Sequence, residues 1–322
     1  MNWQGFGRQC LKLIAQAGLV AGVVGVLSFV MTRALPGDAA YRIAAGRYGY
    51  DMVDAAAAEA VRNELGLDRS ALEQLLLWLG DLPLLRLGKS QVSGDPVIDE
   101  ISHQLGHTLQ LSMSAWLLAL ALGWVLGGWA ALRASHWSTR WIDPLCTALR
   151  ASPAFLLGLV LMLVLGVHLN WLPLAGHGEA VYLVLPSLAL ALTLLPGMTQ
   201  VVRTRLQQVL ASDAFEFAQT KGIPLRAAIW RHALAPVALG TLAYAGMQLV
   251  LLVEGVVVVE SLVAWPGIGH ALVHAVISRD VPMIQGTALA MGLLFVVVNS
   301  CMDAVVQWLD PRLREPATGQ HP

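Results

Sequence analysis

The chain has 322 residues, of which 57% are hydrophobic and 13% are charged, and its mean hydropathy is +0.64. Soluble domains carry about 25% charged residues, so the composition excludes an ordinary soluble protein and predicts one that crosses a membrane repeatedly. The formal net charge of −1 excludes a broadly basic surface, and with it a nucleic-acid partner.

Six apolar runs are long enough to cross a bilayer, because an apolar core of about 30 Å needs roughly 20 helical residues. The first run exceeds the apolar region of a signal peptide and further runs follow it, so we expect an uncleaved anchor. The sequence therefore predicts an all-α polytopic membrane protein with six transmembrane helices, at Cys10–Thr32, Leu105–Leu132, Trp141–Val167, Val181–Val202, Pro236–Val263 and Pro282–Leu309.

Basic residues are distributed unevenly among the connections between these runs. Arg8 and Lys12 flank the start of the first run, and a basic stretch from Arg203 to Arg231 follows the fourth. The connection Asn170–Ala180 contains no Lys or Arg. Because cytoplasmic loops carry the excess of Lys and Arg, both termini are predicted to lie in the cytoplasm.

One long polar segment, residues 34–103, follows the first run, and we call it the insertion. Asp54–Leu65 and Ser70–Leu79 have helical apolar spacing, whereas Gly46–Gly49 and Ser93–Pro96 carry turn residues. A small helical unit outside the cytoplasm is expected, and its leucine content disfavours the alternative of disorder. The predicted organisation is the cytoplasmic N-terminus with the first helix (1–33), the insertion (34–103), a five-helix core (104–309) and a cytoplasmic tail (310–322).

A polar island lies between two apolar runs at residues 212–236, and we call it the coupling segment. Asp213 and Glu216 have the spacing of a capping box, which predicts a helix from Asp213 to about Thr220. Gly222 permits a left-handed stop, and Pro224 suits the first position of a second helix reaching about Leu234.

The coupling segment combines basic and apolar side chains. Lys221, Arg226 and Arg231 make it basic. An apolar side that must rest on another surface is expected from Phe215, Phe217, Ala218, Ile223 and Trp230. A helix–turn–helix lying across a membrane surface satisfies both properties.

The spacing Glu216-Phe217-Ala218-x3-Gly222 resembles the EAA-xxx-G motif of inner-membrane permease subunits of ABC importers, although Phe217 replaces the second residue of EAA. Further segments are similar to the peptide/nickel subfamily and occur in its order. They are LGLD (65–68), HTLQLS (107–112), WRHAL (230–234), VVVVESLVAWPGIG (256–269), RDVPMIQG (279–286) and DPRLR (310–314).

This resemblance implies a transport subunit of the bacterial inner membrane. It implies a second homologous permease subunit, two cytoplasmic ATPase subunits, an extracytoplasmic solute-binding protein and the lipid bilayer as partners. The chain lacks GxxxxGK[ST], so ATP is expected to bind the partner subunits and no cofactor or catalytic residue is assigned to this chain. The ATPase would dock on a cytoplasmic coupling loop formed by Asp213, Glu216, Ala218, Lys221, Gly222, Arg226, Arg231 and His232.

The resembled subfamily handles dipeptides, oligopeptides, nickel and metal–chelator complexes, so the solute is left open among these. Two other classes of function also remain. An autonomous secondary transporter or channel would be expected to carry intramembrane carboxylates and pseudo-symmetric broken helices. An intramembrane enzyme would need a nucleophile with its base, or a metal site at depth.

Three charged residues are candidates for the translocation pathway: Arg150 in the third run, Glu254 in the fifth run and Glu260 near its end. Placing a charge at a helix centre costs roughly 2.5–3.5 kcal/mol, so these side chains are expected to avoid lipid. Arg150 and Glu254 are interpreted as a structural ion pair, as a solute-contacting lining, or as the sign of a misplaced span boundary. Glu260 is expected to point inward or to the interface.

Histidines occur at helical i, i+4 spacing in two places, His103/His107 and His270/His274. Neither pair has a nearby third ligand, so no metal site is assigned. The three cysteines have no ligand spacing and are interpreted as structural thiols. The WPGIG turn, Trp265–Gly269, is interpreted as structural, with an outer gate as the alternative that the resemblance implies, and Ala271–Ile277 is predicted to be a short re-entrant or interfacial helix.

Overall fold

The structure is a computed structural model that describes residues 3–34, 37–49, 53–65, 73, 79–82, 86–133 and 140–309. Within these ranges the regular structure is helical, and the β-pairing consists of an isolated bridge between Lys89 and Pro96. The prediction of an all-α membrane fold is confirmed. The predicted helix Ser70–Leu79 and the tail 310–322 fall largely or wholly outside the described residues.

The main helices are numbered in chain order. They are α1 Trp3–Ala34, α2 Ala39–Tyr48, α3 Ala55–Leu65, α4 Val97–Leu132, α5 Ile142–Ala151, α6 Ala154–Leu161, α7 Ala180–Leu210, α8 Asp213–Thr220, α9 Leu225–Ala228, α10 Leu234–Leu262, α11 Ile268–Ser278 and α12 Val281–Leu309. Two π-helical turns continue neighbouring helices, Met162–His168 after α6 and Ile229–Ala233 between α9 and α10.

Five helices in the described part of the chain are long and apolar enough to cross a membrane, and a sixth span is present if a bent pair counts as one. The first, second, fourth, fifth and sixth predicted runs correspond to α1, α4, α7, α10 and α12. The short helix predicted at Ala271–Ile277 corresponds to α11.

The third run, predicted as one continuous helix over Trp141–Val167, is broken instead. Helices α5 and α6 meet at an angle of 108°. Ser152 and Pro153 adopt extended conformations between them, with ψ of 123° and 152°. The proline ring clashes with a helical conformation of the preceding residue, which explains why the chain turns at this point.

The second helix of the coupling segment, predicted to reach about Leu234, does not end there and continues into the fifth span. Helical structure continues from Leu225 through Ile229–Ala233 to Leu262 without interruption. The π-helical turn ends three residues before Pro236, which has no N–H to donate to a carbonyl four residues earlier. The locally wider turn therefore accommodates a proline within the continuous helix.

The chain divides into two compact units. One comprises Met1–Leu109 and Ala264–Val297, and the other comprises Gln110–Val263 and Val298–Pro322. The first unit contains the described part of the insertion, and the second contains the coupling segment.

Helices α2 and α3 form a small pair within the insertion. Helix α3 begins after Asp54, whose carboxylate accepts a hydrogen bond from the amide of Ala57 at 2.8 Å, close to the predicted start. Helix α2 was not predicted, because Gly46 and Gly49 suggested a turn. Only Gly49 ends the helix, with φ of 91°. Gly46 lies inside it, where an added Cβ would come within 3.1 Å of Val92.

Two ion pairs join the ends of this helical pair. Arg47 contacts Glu64 at 2.7 Å, and Arg62 contacts Asp38 at 2.6 Å. The hydrogen bond from Arg47 holds the pKa of Glu64 below its usual range. A buried cluster of Ile43, Ala44 and Val61 fills the space between α2 and α3.

A buried carboxylate, Asp280, connects the residues before α4 with the start of α12. It accepts hydrogen bonds from the hydroxyl of Ser90 and from the amides of Gln91 at 3.1 Å and Val92 at 3.3 Å. It also caps α12 by accepting a bond from the amide of Met283 at 3.3 Å. Only 2% of Asp280 is exposed, so these donors replace water around the carboxyl group.

Helices α4 and α7 approach closely at two glycines of α4, spaced as GxxxG. A Cβ at Gly123 would lie 2.5 Å from the Cβ of Met198, and one at Gly127 would lie 2.5 Å from the carbonyl oxygen of Thr199. At adjacent Gly128, an added Cβ would have no described atom within 4 Å. Small residues at this spacing allow helix backbones to approach within a membrane.

Candidate functional site

The coupling segment begins with helix α8, whose bounds Asp213–Thr220 confirm the predicted helix. Its cap differs from the prediction. The cap residue is Ser212, which has extended geometry and whose hydroxyl donates to the carbonyl of Val209 at 2.7 Å. No side chain caps the first amides, so Asp213 and Glu216 do not form a capping box and instead place two carboxylates in the first turn.

A tight turn at Gly222 separates α8 from α9. Gly222 has φ of 76°, in the left-handed region as predicted, and its amide donates to the carbonyl of Gln219 at 2.9 Å. No described atom lies within 4 Å of an added Cβ, so the requirement for glycine arises from the backbone conformation. Pro224 was predicted to be the first residue of the second helix. It is instead the N-cap residue, with ψ of 143°, and α9 begins at Leu225.

One face of the coupling segment is fixed by burial. Phe215, Ala218, Ala228 and Ala233 are buried in a single apolar cluster. The rest of that cluster comes from the ends of α4 and α7 and from α10, through Ala131, Val202, Leu206 and Val237. Ala218 is the only residue of the predicted docking set that is buried, and it belongs to this anchoring face.

The opposite face exposes large apolar side chains. Phe217 is 61% exposed and Trp230 is 75% exposed, so the described part of the chain does not bury either side chain. Phe217 lies between two residues of the buried helical stripe and therefore points away from it. Leu225, at the start of α9, is also exposed.

Charged side chains surround these apolar residues. The remaining predicted docking residues are all exposed: Asp213, Glu216, Lys221, Gly222, Arg226, Arg231 and His232. The ammonium of Lys221 lies 4.5 Å from the centre of the Phe217 ring, in a cation–π contact. The exposed face therefore presents aromatic and basic groups together on a backbone anchored from its other side.

A second candidate feature is a cavity of about 510 Å³ between α5 and α7. Arg150 is an exposed residue near the end of α5 that lines this cavity. The other lining residues are Asp143, Cys146, Thr147, Ala151, Pro196 and Gln200. Arg150 thus lies next to the bend between α5 and α6 rather than within a continuous span.

An ion pair that sequence reasoning missed joins the two helices that border the cavity. Arg203 of α7 contacts Asp143 of α5 at 2.6 Å. The two residues are 60 positions apart, and no local pattern connects them. The basic character of Arg203 was interpreted only as a sign of cytoplasmic orientation.

The other two pathway candidates lie on α10. The backbone of Glu254 is helical, but its side chain lies outside the described structure, so the ion pair with Arg150 stays a prediction. Glu260 has 0% exposure, and its carboxylate is therefore enclosed by the chain.

The WPGIG turn is held by polar contacts to the start of α4. The indole of Trp265 donates to the carbonyl of His107 at 3.1 Å, and the amide of Ile268 donates to the hydroxyl of Thr108 at 2.8 Å. The imidazole Nε2 atoms of His103 and His107 lie 3.3 Å apart. Among the described residues, no group of three or more His, Cys, Asp or Glu side chains could hold a metal ion.

Comparisons with known proteins give a consistent assignment. Residues 123–315 match the family described as the inner membrane component of binding-protein-dependent transport systems. A protein of Brucella abortus (strain 2308), named as a peptide transport system permease protein, is 32% identical over 312 residues, covering 94% of this chain and 98% of its own length.

Two further proteins are similar to this chain. The glutathione transport system permease protein GsiC of Escherichia coli (strain K12) is 33% identical over 296 residues, covering 91% of this chain and 94% of that protein. A crystal structure of an amino acid ABC transporter with histidines aligns with a TM-score of 0.48 and 17% identity, over 66% of this chain and 94% of that chain. From the family match and these relatives, the chain belongs to the family of inner membrane components of binding-protein-dependent transport systems.

Proposed function

We propose that this chain is the membrane-spanning subunit of an ATP-driven importer of peptides. It would form half of a translocation pathway with a second homologous permease. Two cytoplasmic ATPase subunits would bind the coupling segments, and an extracytoplasmic binding protein would deliver the solute. Peptides are favoured as the solute class because relatives that match nearly the whole chain are named as peptide and glutathione transport permeases.

The proposal assigns ATPase docking to the coupling segment. The observation that carries it is the contrast between its two faces: one is buried against α4, α7 and α10, while the other exposes Phe217, Leu225 and Trp230 among basic side chains. Exposed aromatic residues next to arginines are typical of binding hot spots. A segment fixed from one side also moves together with the helices that hold it, as coupling to ATP binding requires.

Two alternatives receive less support. Nickel or a metal chelate is the second solute class, and the support for it is the sequence resemblance to the peptide/nickel subfamily. An autonomous transporter or channel is disfavoured because the matched family is binding-protein-dependent. The proposal also places the chain in a bacterial inner membrane with both termini cytoplasmic, without an ATP site or catalytic residue of its own.

Reconstitution tests the proposed function. The chain, its partner permease, the ATPase subunits and the binding protein would be assembled in proteoliposomes, and uptake of a labelled peptide measured with and without ATP. Uptake that requires both ATP and the binding protein supports the proposal. Uptake by this chain alone would instead identify an autonomous transporter, and nickel uptake without peptide uptake would identify the other solute class.

Coupling is expected to depend on the conformation of Gly222. Gly222→Val places a β-branched side chain at φ of 76°, at a cost of about 1–3 kcal/mol. We expect solute-stimulated ATPase activity to fall severalfold while the amount of membrane-inserted protein is unchanged. Gly222→Asn is the matched control, because asparagine tolerates this region and the site has open space around it. Normal coupling in the valine variant would remove Gly222 from the proposed docking site.

Orientation in the membrane is tested by labelling of single cysteines. In a chain whose Cys10, Cys146 and Cys301 are replaced by serine, an impermeant thiol reagent is added to intact spheroplasts. Ala56→Cys on α3 is expected to react, whereas Gln219→Cys on α8 is expected to react only after the membrane is permeabilised. Both positions are exposed, so accessibility within the chain does not distinguish them. The reverse labelling pattern would invert the proposed topology.

A further inference from the structure

We propose that the cavity lined by Arg150 is a subsite for the carboxylate of a peptide, with Arg150 as the group that binds it. This inference rests on the proposed function and specifies the solute chemistry that one site would recognise. The substrate class is a short peptide with a free C-terminal carboxylate.

Among the described side chains, none occupies the guanidinium of Arg150. Its side chain is exposed, lines a cavity of about 510 Å³, and makes no hydrogen bond or ion pair with the described residues. A guanidinium carries five N–H donors that match a carboxylate in a bidentate geometry. Within this cavity those donors are available to a solute.

The charge balance of the cavity also favours an anion. Asp143 is the carboxylate that lines it, and Arg203 contacts this carboxylate at 2.6 Å. Asp143 and Arg203 together are neutral, so among the described side chains Arg150 leaves the cavity with an excess positive charge. An anionic group is therefore favoured near Arg150, whereas a cationic one is disfavoured.

The size and composition of the cavity suit a short peptide. The volume falls in the range of roughly 300–1,000 Å³ usual for small-molecule pockets. Asp143 and Arg150 are seven residues apart, or about 10 Å along a helix, which equals the length of about three extended residues. Thr147 and Gln200 line the same cavity and offer polar groups that a peptide backbone can bond.

A lipid phosphate is the other anion that an arginine in a membrane protein could bind. A headgroup would use the positive charge of Arg150 but would not use the length of the cavity or its other polar groups. The peptide carboxylate accounts for all three features, and lipid binding becomes an outcome of the test.

The experiment measures equilibrium binding of labelled tri-alanine to the assembled complex of permeases and ATPases. Nanodiscs without the binding protein and without nucleotide are used, so the specificity of the binding protein does not enter. The same measurement is made with tri-alanine that carries a C-terminal amide. Wild type and Arg150→Gln are compared, with Arg140→Gln as a matched control at an exposed arginine outside the cavity lining.

We expect Arg150→Gln to weaken binding of the free acid by about tenfold or more, because a charge-assisted contact is lost. Binding of the amide should be equal in wild type and variant, and Arg140→Gln should change neither ligand. Arg150→Lys should retain part of the preference for the acid. This variant also keeps the test decisive if the glutamine variant fails to assemble.

Several outcomes would overturn the inference. Equal losses for acid and amide would reveal a structural role for Arg150, and absence of tri-alanine binding to wild type would exclude the subsite. If Arg150→Gln reduces the binding of phosphatidylglycerol but not that of tri-alanine, the cavity is a lipid site. The proposed function is judged separately by ATP-dependent peptide uptake with the binding protein, which can succeed even where the acid and amide bind alike.

Discussion

Replacing Trp230 by alanine is expected to release the ATPase subunits from the purified complex while the permease still inserts into the membrane. Trp230 is 75% exposed, so its removal leaves the buried cluster under the coupling segment intact. Tryptophans at the centre of protein interfaces commonly contribute about 2 kcal/mol or more to binding, which corresponds to about a 30-fold loss of affinity.

The matched control for this prediction is Trp171→Ala. Trp171 is 70% exposed and lies in the connection between α6 and α7, outside the coupling segment. ATPase recovery after affinity purification is the readout, normalised to the permease. Equal recovery from wild type and Trp230→Ala would show that the exposed aromatic face is not the docking surface.

Gly127→Ala is expected to destabilise the fold, because it adds a methyl group where two membrane helices are in close contact. The new Cβ would lie 2.5 Å from the carbonyl oxygen of Thr199, which is backbone and moves only with helix α7. Overpacking of this kind costs about 1–3 kcal/mol. We expect a thermal midpoint lower by several degrees and a smaller yield of membrane-inserted protein.

Gly128→Ala provides an internal reference for this measurement. Both glycines lie in the interior of α4, so both substitutions gain the same helix propensity, and only Gly127 has a close neighbour. The thermal midpoint of Gly127→Ala should therefore be clearly lower than that of Gly128→Ala when unfolding is measured in detergent. Equal midpoints would contradict the close contact between α4 and α7.

The extents of most membrane helices could be predicted from the sequence because long apolar runs have few alternatives in a bilayer. The bend between α5 and α6 could not be derived from hydropathy, since the residues on both sides are apolar. The local signal was Ser152-Pro153, where the ring of proline restricts its predecessor. At Pro236 the chain stays helical, because the π-helical turn before it accommodates the proline. A proline in the sequence therefore does not by itself predict a break in a helix.

The candidate site was only partly predictable for a related reason. Motif spacing located the coupling segment and the left-handed glycine, both of which are local properties of the chain. Which aromatic residue is buried depends on helix phase, and Phe215 and Phe217 fall on opposite faces of α8. The cavity at Arg150 and the Asp143–Arg203 pair depend on helices far apart in sequence, which no local pattern specifies.

The hydrogen bonds to Asp280 also determine when, during synthesis of the chain, the turn before α4 can form. Ser90 and Asp280 are 190 positions apart, so at about 5–20 residues per second a ribosome needs roughly 10–40 s to reach the second after making the first. During that interval the hydroxyl of Ser90 and the amides of Gln91 and Val92 lack their acceptor. The turn before α4 is thus completed only after Asp280, which immediately precedes the last span, has been synthesised, and a nascent chain stopped before Asp280 should expose this turn to proteases.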